Sequence, residues 1–472
     1  MSRQRRRRRR NLSEEEDYIS RLPDSIIIDE ILSRLPSTKE AVKTGVLSTK
    51  WKHLWTSNPN LKFSQFDIRD DQGYASFVNK TLILHSSNKV RKFFLRCYHD
   101  IFDEAWLCFA IRHGVEDLNL DLFNRTTTFF PYDEDCIRYQ IPQDLYAHSS
   151  IIKLRTKFCD YAPKAEVSWT SLKVLNIREA ALTEDVLQRI LAGTPLLEYL
   201  ELYECWGTNS IQVSSTSALK ELVIREWLDP RWLPAGDIDV NTLEISIPSV
   251  KSLELSGAWQ TKCLLLDASS LVEAHLTEFS EFNLVIEEGD IQEYASMVNE
   301  MLRRVTFVHE LSVGPMFLRA LSCLKEALTP PGWSLEHCKS LNLSMGYFKR
   351  NLLAISIFLN SASTNLEELS ISLNGYDKYG FDGGNLIKEE DCWSSLEHLQ
   401  FMKLKVISIW LGSFDPRNDS YDYLLGFGQF MLQKATVLEK MIIISPKSCP
   451  TARKLLTALR RCSPKAEIIF DD

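Results

Sequence analysis

The chain has 472 residues, of which 44% are hydrophobic and 25% charged, and a formal net charge of -8. That length exceeds one ordinary core and leaves room for about two to four domains or one elongated repeat array of globular composition. No apolar run approaches the roughly 18 to 20 residues that span a bilayer, and the acidic balance argues against general nucleic-acid binding. The N-terminus lacks the apolar stretch of a secretory signal. The 11 cysteines show neither CxxC pairs nor zinc spacing, so they read as buried apolar residues in a reducing compartment.

Arg3 and Arg5 to Arg10 repel one another and cannot pack, which predicts a disordered tail over residues 1–16. Such a run is either a nuclear-import address or a solvated tail without a receptor, and it places the chain in the nucleus, the cytoplasm or both. Residues 17–63 read as three short helices. Leu22-Pro23 is extended and Asp24 is expected to cap the first helix, on which Ile27 pairs with Ile31, and Ile28 with Leu32 and Leu35. Pro36 ends it. Ser37 with Glu40 forms a capping-box signature for a second helix carrying Ala41 and Val42 to near Gly45, and Ser48 opens a third on which Trp51, Leu54 and Trp55 share a face. A unit this small has too little interior for so many apolar side chains, so part of its surface is expected to meet another protein.

The order of residues here resembles the plant F-box. Leu22-Pro23-Asp24, Ile31-Leu32-Ser33-Arg34-Leu35-Pro36, Val42, Val46-Leu47-Ser48 and Trp51 to Trp55 fall where that family's pattern has them, with Ser25 for the usual Glu and Gly45 for the usual Ser or Cys. The resemblance implies docking on a Skp-type adaptor through Leu22, Pro23, Ile31, Leu32, Leu35, Pro36, Val42, Val46, Leu47, Trp51, Leu54 and Trp55, some as interface anchors and others as the core that presents them.

Residues 64–89 form a linking segment in which Phe77, Val78, Leu82 and Leu84 suggest a helix. From 90 to 390 the pattern L-x-x-L-x-L recurs, as in Val115/Leu118/Leu120, Leu172/Leu175/Ile177, Leu197/Leu200/Leu202, Leu219/Leu222/Ile224 and Val250/Leu253/Leu255. Weaker copies sit at Val240/Leu243/Ile245, Leu271/Ala274/Leu276 and Leu396/Leu399/Phe401. The best-spaced copies lie about 21 to 25 residues apart, a leucine-rich-repeat period, and a lone unit would leave its apolar edge wet. Stacked copies are therefore expected, with a parallel sheet on the concave side and helices such as 183–191 outside. Cys205 stands where the repeat consensus closes the turn after a strand. Residues 125–140, 229–239 and 374–385 read as surface loops.

Strand alternation sends the leucines inward and the residues between them outward. The outward set runs from basic (Lys153, Arg155, Lys157, Arg178) through Tyr199, Glu201, Tyr203, Glu221 and Arg225 to acidic (Glu244, Glu254, Glu273, Glu310). It is a candidate target face that favours a basic partner, unless these are ordinary solubilising charges. From 391 to 472 the chain resembles the FBD region that follows repeats in many plant F-box proteins. Cys392-Trp393, an apolar strand at 404–411, a helix at 424–435, a strand at 442–444, a helix at Leu455, Leu456 and Leu459 and a last strand at 468–470 would cap the array.

The expected fold class is thus α/β: a small N-terminal helical F-box, an irregular leucine-rich-repeat solenoid and a C-terminal α/β cap. No P-loop, dinucleotide fingerprint, HExxH or GxSxG occurs, and no cofactor or metal site is expected. Adjacent Cys97/His99 and His337/Cys338 read as core or surface, and Gly383-Gly384 as a turn. The resemblance implies a non-catalytic substrate-recognition subunit of an SCF-type ubiquitin ligase, joined through the adaptor to cullin and RING subunits and holding a protein target. The alternative is a repeat scaffold without ligase partners; a hormone co-receptor is less suited to such irregular repeats.

Overall fold

The computed structural model describes residues 22–68, 70–125, 137–225, 242–257, 262–277, 288–322, 332–345, 351–373, 396–411, 420–444 and 462–471. The Arg-rich tail, the start of the helical segment, Val240, the loops at 229–239 and 374–385, Cys392-Trp393 and the helix expected at 455–459 lie outside them. The described residues form two compact units, one up to Arg178 and one from Glu179.

The first unit opens with the helical segment. An α turn, Asp24–Ile26, runs into a π turn, Ile27–Ile31, and a 3-10 turn, Leu32–Arg34, after which Leu35 is extended ahead of Pro36. Asp24 does not cap this run. Pro23 occupies the capping position, and the Asp24 carboxylate instead meets the Lys50 ammonium at 3.1 Å, while Lys50 Nζ also donates to the Leu22 carbonyl at 2.6 Å. Thr38–Lys43 (α1) starts as expected, with Ser37 Oγ accepting from Glu40 N, and Ser48 Oγ accepts from Trp51 N ahead of the helix Trp51–Leu54 (α2). Residues 60–63, placed in the helical segment by sequence, belong to the strand β1 (Asn60–Ser64). Thr38 Oγ1 takes Lys62 N at 2.7 Å, and the Asn58 and Asn60 amides donate to the carbonyls of Leu32 and Ser33. These bonds tie the helices to the edge of the sheet.

The linking segment is the helix α3 (Asp71–Leu84), capped by Asp70. Strands β2 (Lys92–Tyr98) and β3 (Asp117–Phe123) flank the helix α4 (Glu104–Arg112). After β4 (Tyr139–Gln140) come β5 (Lys153–Lys157), β6 (Cys159–Asp160) and β7 (Val174–Arg178). The main sheet of this unit has the order β1-β2-β3-β5-β7, all parallel, with β4 and β6 paired separately. The second and third apolar positions of each repeat point into the core, so that Phe93, Leu95, Leu118, Leu120, Leu154, Leu175 and Ile177 are buried. Each fully buried side chain of this kind contributes about 1.5–3 kcal/mol.

The end of α3 meets the end of α4 at two histidines. His85 and His113 rings lie 6.1 Å apart, with Phe109 stacked on His113 at 4.0 Å. Burial, and next the charge of His113, pull the His85 pKa down to about 4 from its ordinary 6.5. The unfolded chain therefore binds more protons between those values, and stability falls as the pH drops from about 6.5 towards about 4. With allowance for the solvent reaching the ring, acidification from pH 7 to pH 5 should cost about 1 kcal/mol through this group. Thermal melts of a His85→Phe variant should show a flatter acid limb than wild type; equal slopes would remove His85 from the acid response.

The second unit begins with the helix α5 (Glu184–Ala192), as the 183–191 pattern predicts. Thr183 Oγ1 accepts from Val186 N, and Leu187 and Ile190 turn inward. Strands β8 (Tyr199–Tyr203), β10 (Glu221–Arg225), β12 (Ser252–Ser256), β14 (Glu273–Thr277), β15 (Glu310–Val313), β16 (Ser340–Met345), β17 (Glu368–Leu373), β18 (Val406–Leu411), β19 (Lys440–Ile444) and β20 (Glu467–Asp471) follow one another in a parallel sheet. Helices Glu288–Arg304, Pro315–Ser322, Leu352–Ala362 and Ser420–Lys434 connect successive strands in its later half. Earlier connections carry the short strands β9 (Ser210–Gln212), β11 (Thr242–Ser246) and β13 (Lys262–Asp267), which make a second parallel sheet of order β13-β11-β9.

That second sheet corrects one expectation. Val240/Leu243/Ile245 is not a main-sheet repeat, and Glu244 on β11 lies beside Ser210 and Leu264, away from the β8–β10–β12 ladder. A second correction concerns Leu396/Leu399/Phe401. Phe401 forms only an isolated bridge to Ala435, and the main-sheet strand is β18, with Ile407 and Ile409 buried.

Strand exits share one device. Phe158, Glu179 and Glu204 take φ of 61°, 52° and 49°, and Gly257 takes 110°. Each donates its N–H to the carbonyl at the end of the next strand, as Glu179 does to Tyr203 at 2.9 Å and Glu204 to Arg225 at 2.9 Å. The left-handed turn costs a non-glycine residue about 1–2 kcal/mol, which the added backbone bond offsets.

Candidate protein-docking faces

The helical segment divides its apolar residues sharply. Ile27, Leu32, Ala41 and Trp51 form its core, with Leu22, Ile28, Ile31, Leu35, Leu54 and Trp55 partly buried against them. Val42 is half-buried, whereas Pro23 and Pro36 are exposed. Val46 is 90% exposed, Leu47 64% and Ile26 42%. Of the residues that the F-box resemblance assigns to adaptor docking, Leu32 and Trp51 are thus supports. Val46 and Leu47 are bare, on the turn Thr44–Val46 and just after it. Ile26 belongs to the same exposed apolar set and was missed, because it falls outside the i, i+4 pairing used to find the face. Gly45 causes no difficulty: a Cβ there would stand 3.5 Å from the Lys52 backbone, an ordinary contact.

The second face is the outward side of the main sheet in the second unit. Strand register aligns Tyr199 with Glu221, Val223 with both Glu201 and Glu254, and Tyr203 with Arg225. Arg225 bridges the strands: its Nε and Nη2 donate to the two Glu254 carboxylate oxygens at 2.7 and 2.9 Å, and Glu201 lies 4.0 Å from Nη1. Glu201 is only 4% exposed, and Tyr199 donates its hydroxyl proton to it at 3.1 Å. The expectation that Glu201 faces solvent is therefore corrected, since its neighbours cover it. Burial works to raise the Glu254 carboxyl, but the Arg225 guanidinium outweighs it and holds the group below its ordinary value. Burial raises Glu221, and the carboxylates of Glu254 and Glu273 push it further. Burial raises the Tyr199 phenol too, with Glu201 adding to the effect.

The basic stretch of the first unit is less basic than its sequence suggests. Arg155 pairs with Asp117 at 2.8 Å, Arg96 with Asp121 at 3.1 Å, and Lys157 Nζ lies 4.5 Å from the centre of the Phe123 ring. Cations and carboxylates alternate across β2, β3 and β5, where Arg96 aligns with Asp121 and Asp121 with Lys157, so the outward surface there is mixed, while Lys157 and Arg178 stand in register on β5 and β7.

Four buried thiols are held in their protonated, unreactive form near neutral pH. Burial pushes Cys97, Cys205, Cys263 and Cys338 up to about 12. Cys205 also directs its Sγ at the Tyr203 carbonyl, 3.5 Å away, in the turn-closing position that the repeat pattern assigns to it. Among the described residues no cluster of His, Cys, Asp and Glu is placed to hold a metal, and no helix is long and apolar enough to cross a membrane.

Comparison with known proteins adds to this geometry. The family model described as "At1g61320/AtMIF1, LRR domain" matches residues 81–313. The putative F-box/LRR-repeat protein At5g02930 of Arabidopsis thaliana is 29% identical over 323 residues, 66% of this chain and 63% of that protein. The F-box protein At5g03100 of the same plant is 30% identical over 315 residues, 65% of this chain and 91% of that protein. The chain belongs to the plant F-box/leucine-rich-repeat family. The match extends over nearly the whole length in the putative F-box/LRR-repeat protein At3g18150, also of Arabidopsis thaliana, at 26% identity over 448 residues, 92% of this chain and 88% of that protein. The chain spans under two thirds of At5g02930 itself. In this F-box/leucine-rich-repeat protein the helical segment and the parallel sheets follow the order in which the family name puts them.

Proposed function

We propose that this chain is the substrate-recognition subunit of an SCF-type ubiquitin ligase. Its helical segment docks on a Skp-type adaptor, and through it on cullin and RING subunits, while the outward sheet face of the second unit holds a protein target. The observation that carries the reading is the bare Val46–Leu47 pair, in a segment where Ile27, Leu32, Ala41 and Trp51 make a core that leaves these two outside it. Apolar anchors of that kind dominate protein interfaces once a partner covers them. The chain performs no bond chemistry on this reading; it raises the local concentration of target lysines near the ubiquitin carrier. The residues from 391 onward act as an FBD-like cap, with β18 and β19 continuing the ladder to β20.

Co-expression with a plant Skp-type adaptor should give a stable complex by gel filtration. If the two proteins elute apart, the ligase reading falls and the repeat scaffold without ligase partners replaces it. The Arg run serves, on this reading, as a nuclear-import address. Deleting residues 2–10 should lower the nuclear fraction of a fluorescent fusion severalfold, and an unchanged fraction would leave the run a solvated tail.

A further inference from the structure

Along the outward face of the second unit, strand register brings three carboxylates into one row. Glu221 aligns with Ser252, Ser252 with Glu273, and Glu273 directly with Glu310. Neighbouring strands lie about 4.8 Å apart, so Glu273 and Glu310 are nearest neighbours of like charge, an arrangement that destabilises a sheet. Among the described residues none of the three forms an ion pair, although Arg225 and His275 act on Glu221 from a longer range, and the Glu310 carboxylate receives the Asn342 amide at 3.5 Å. The guanidinium on this face, Arg225, is engaged by Glu254, and His275 shares a hydrogen bond with Ser312 at 2.9 Å. Lys220 and Lys251 stand one residue before their strands, and Lys220 is held by Glu198 at 2.6 Å.

A row of repelling carboxylates that forms no ion pair among the described residues is relieved by cations brought from outside. The row from Glu221 to Glu310 covers three strand spacings, about 14 Å. Alternate side chains of an extended segment are about 6.7 Å apart, so residues i, i+2 and i+4 span nearly that length. Beside Glu221 the half-buried Tyr199 adds aromatic surface, which also attracts a guanidinium or ammonium group. Two kinds of group thus select the same chemistry. We propose that this face binds an extended segment of the target carrying Lys or Arg at alternate positions, its cations seated on Glu221, Glu273 and Glu310. The proposal rests on the receptor reading above and names the target class for it.

The probe is a fluorescein-labelled heptapeptide, Gly-Arg-Thr-Arg-Thr-Arg-Gly, titrated into the full chain and followed by anisotropy. Wild type should bind it, and the variant Glu221→Gln/Glu273→Gln/Glu310→Gln should bind at least tenfold more weakly. That variant should also melt no lower than wild type, since its substitutions relieve repulsion. A control with the same charge change off this row, Glu300→Gln/Glu336→Gln/Glu439→Gln, should shift affinity less than twofold. Equal weakening by both sets would reduce the effect to bulk charge and overturn the proposal. So would unchanged binding by the row variant, or a fall in its melting temperature, which would make the carboxylates structural. If deleting residues 2–10 tightens probe binding tenfold or more, the chain's own Arg run is the occupant and the assignment to a target is overturned. Adaptor binding is measured on the same samples, so its failure would sink the ligase reading while leaving the peptide result to be judged by itself.

Discussion

Replacing Val46 and Leu47 together by Asp should abolish co-purification with a Skp-type adaptor while leaving the melting curve of the chain where it is. The two side chains are the barest large apolar groups of the helical segment, at 90% and 64% exposure, so charging them removes no packing within the chain. An interface that buries them loses two apolar anchors, each costing about 2 kcal/mol or more, and must also desolvate two carboxylates. Affinity should therefore fall by at least 100-fold, beyond what a pull-down detects. Retained binding would mean that the adaptor face lies elsewhere on the segment, at Pro23, Ile26 or Pro36. A lowered melting temperature would mean that the turn at Thr44–Val46 is more closely packed than its exposure indicates.

The repeat strands were legible in the sequence because L-x-x-L-x-L carries its own geometry. A period of two sets the inward pair of each strand, and Leu118/Leu120, Leu200/Leu202 and Leu253/Leu255 are all buried. The helical segment was legible through its breakers and caps, Pro36, Ser37 and Ser48. What failed did so for identifiable reasons. Leu243 follows Leu222 at about one repeat period, so spacing could not distinguish a main-sheet strand from one in a side sheet, and Glu244 was carried to the wrong ladder. Phe158, Glu179 and Glu204 hold left-handed turns without being glycine or asparagine, so nothing in their type announces the conformation. Exposure was the largest gap. Val46 and Ile27 are equally apolar by type, yet one is bare and the other wholly buried, a distinction made only by the packing of three short helices. Likewise Glu201 and Glu221 occupy outward positions on adjacent strands, and the first is hidden by neighbours that include Arg225 and Tyr199.

Trp51→Ala should produce the opposite pattern from the Val46/Leu47 pair: loss of the segment's own fold, with adaptor binding lost as a consequence. Trp51 is 2% exposed and packs with Ile27, Leu32 and Ala41, so truncation leaves a cavity that short, irregular helices can only partly close. Large aromatic truncations of this kind cost about 3–5 kcal/mol. A helical unit of this size has little stability to spare, since small units bury a low fraction of their surface. Its ties to β1 through Thr38, Asn58 and Asn60 hold its edge but do not fill its centre. Hydrogen exchange should thus accelerate by two or more orders of magnitude at amides between 27 and 55. Amides of β2, β3 and β5, whose core is made by Leu95, Leu120 and Leu154, should keep their protection. If β2 to β5 lose protection in step with the helices, the two fold as one cooperative body and the segment is no separable docking module. If neither changes, the small core tolerates the loss, and the supporting role assigned to Trp51 is wrong.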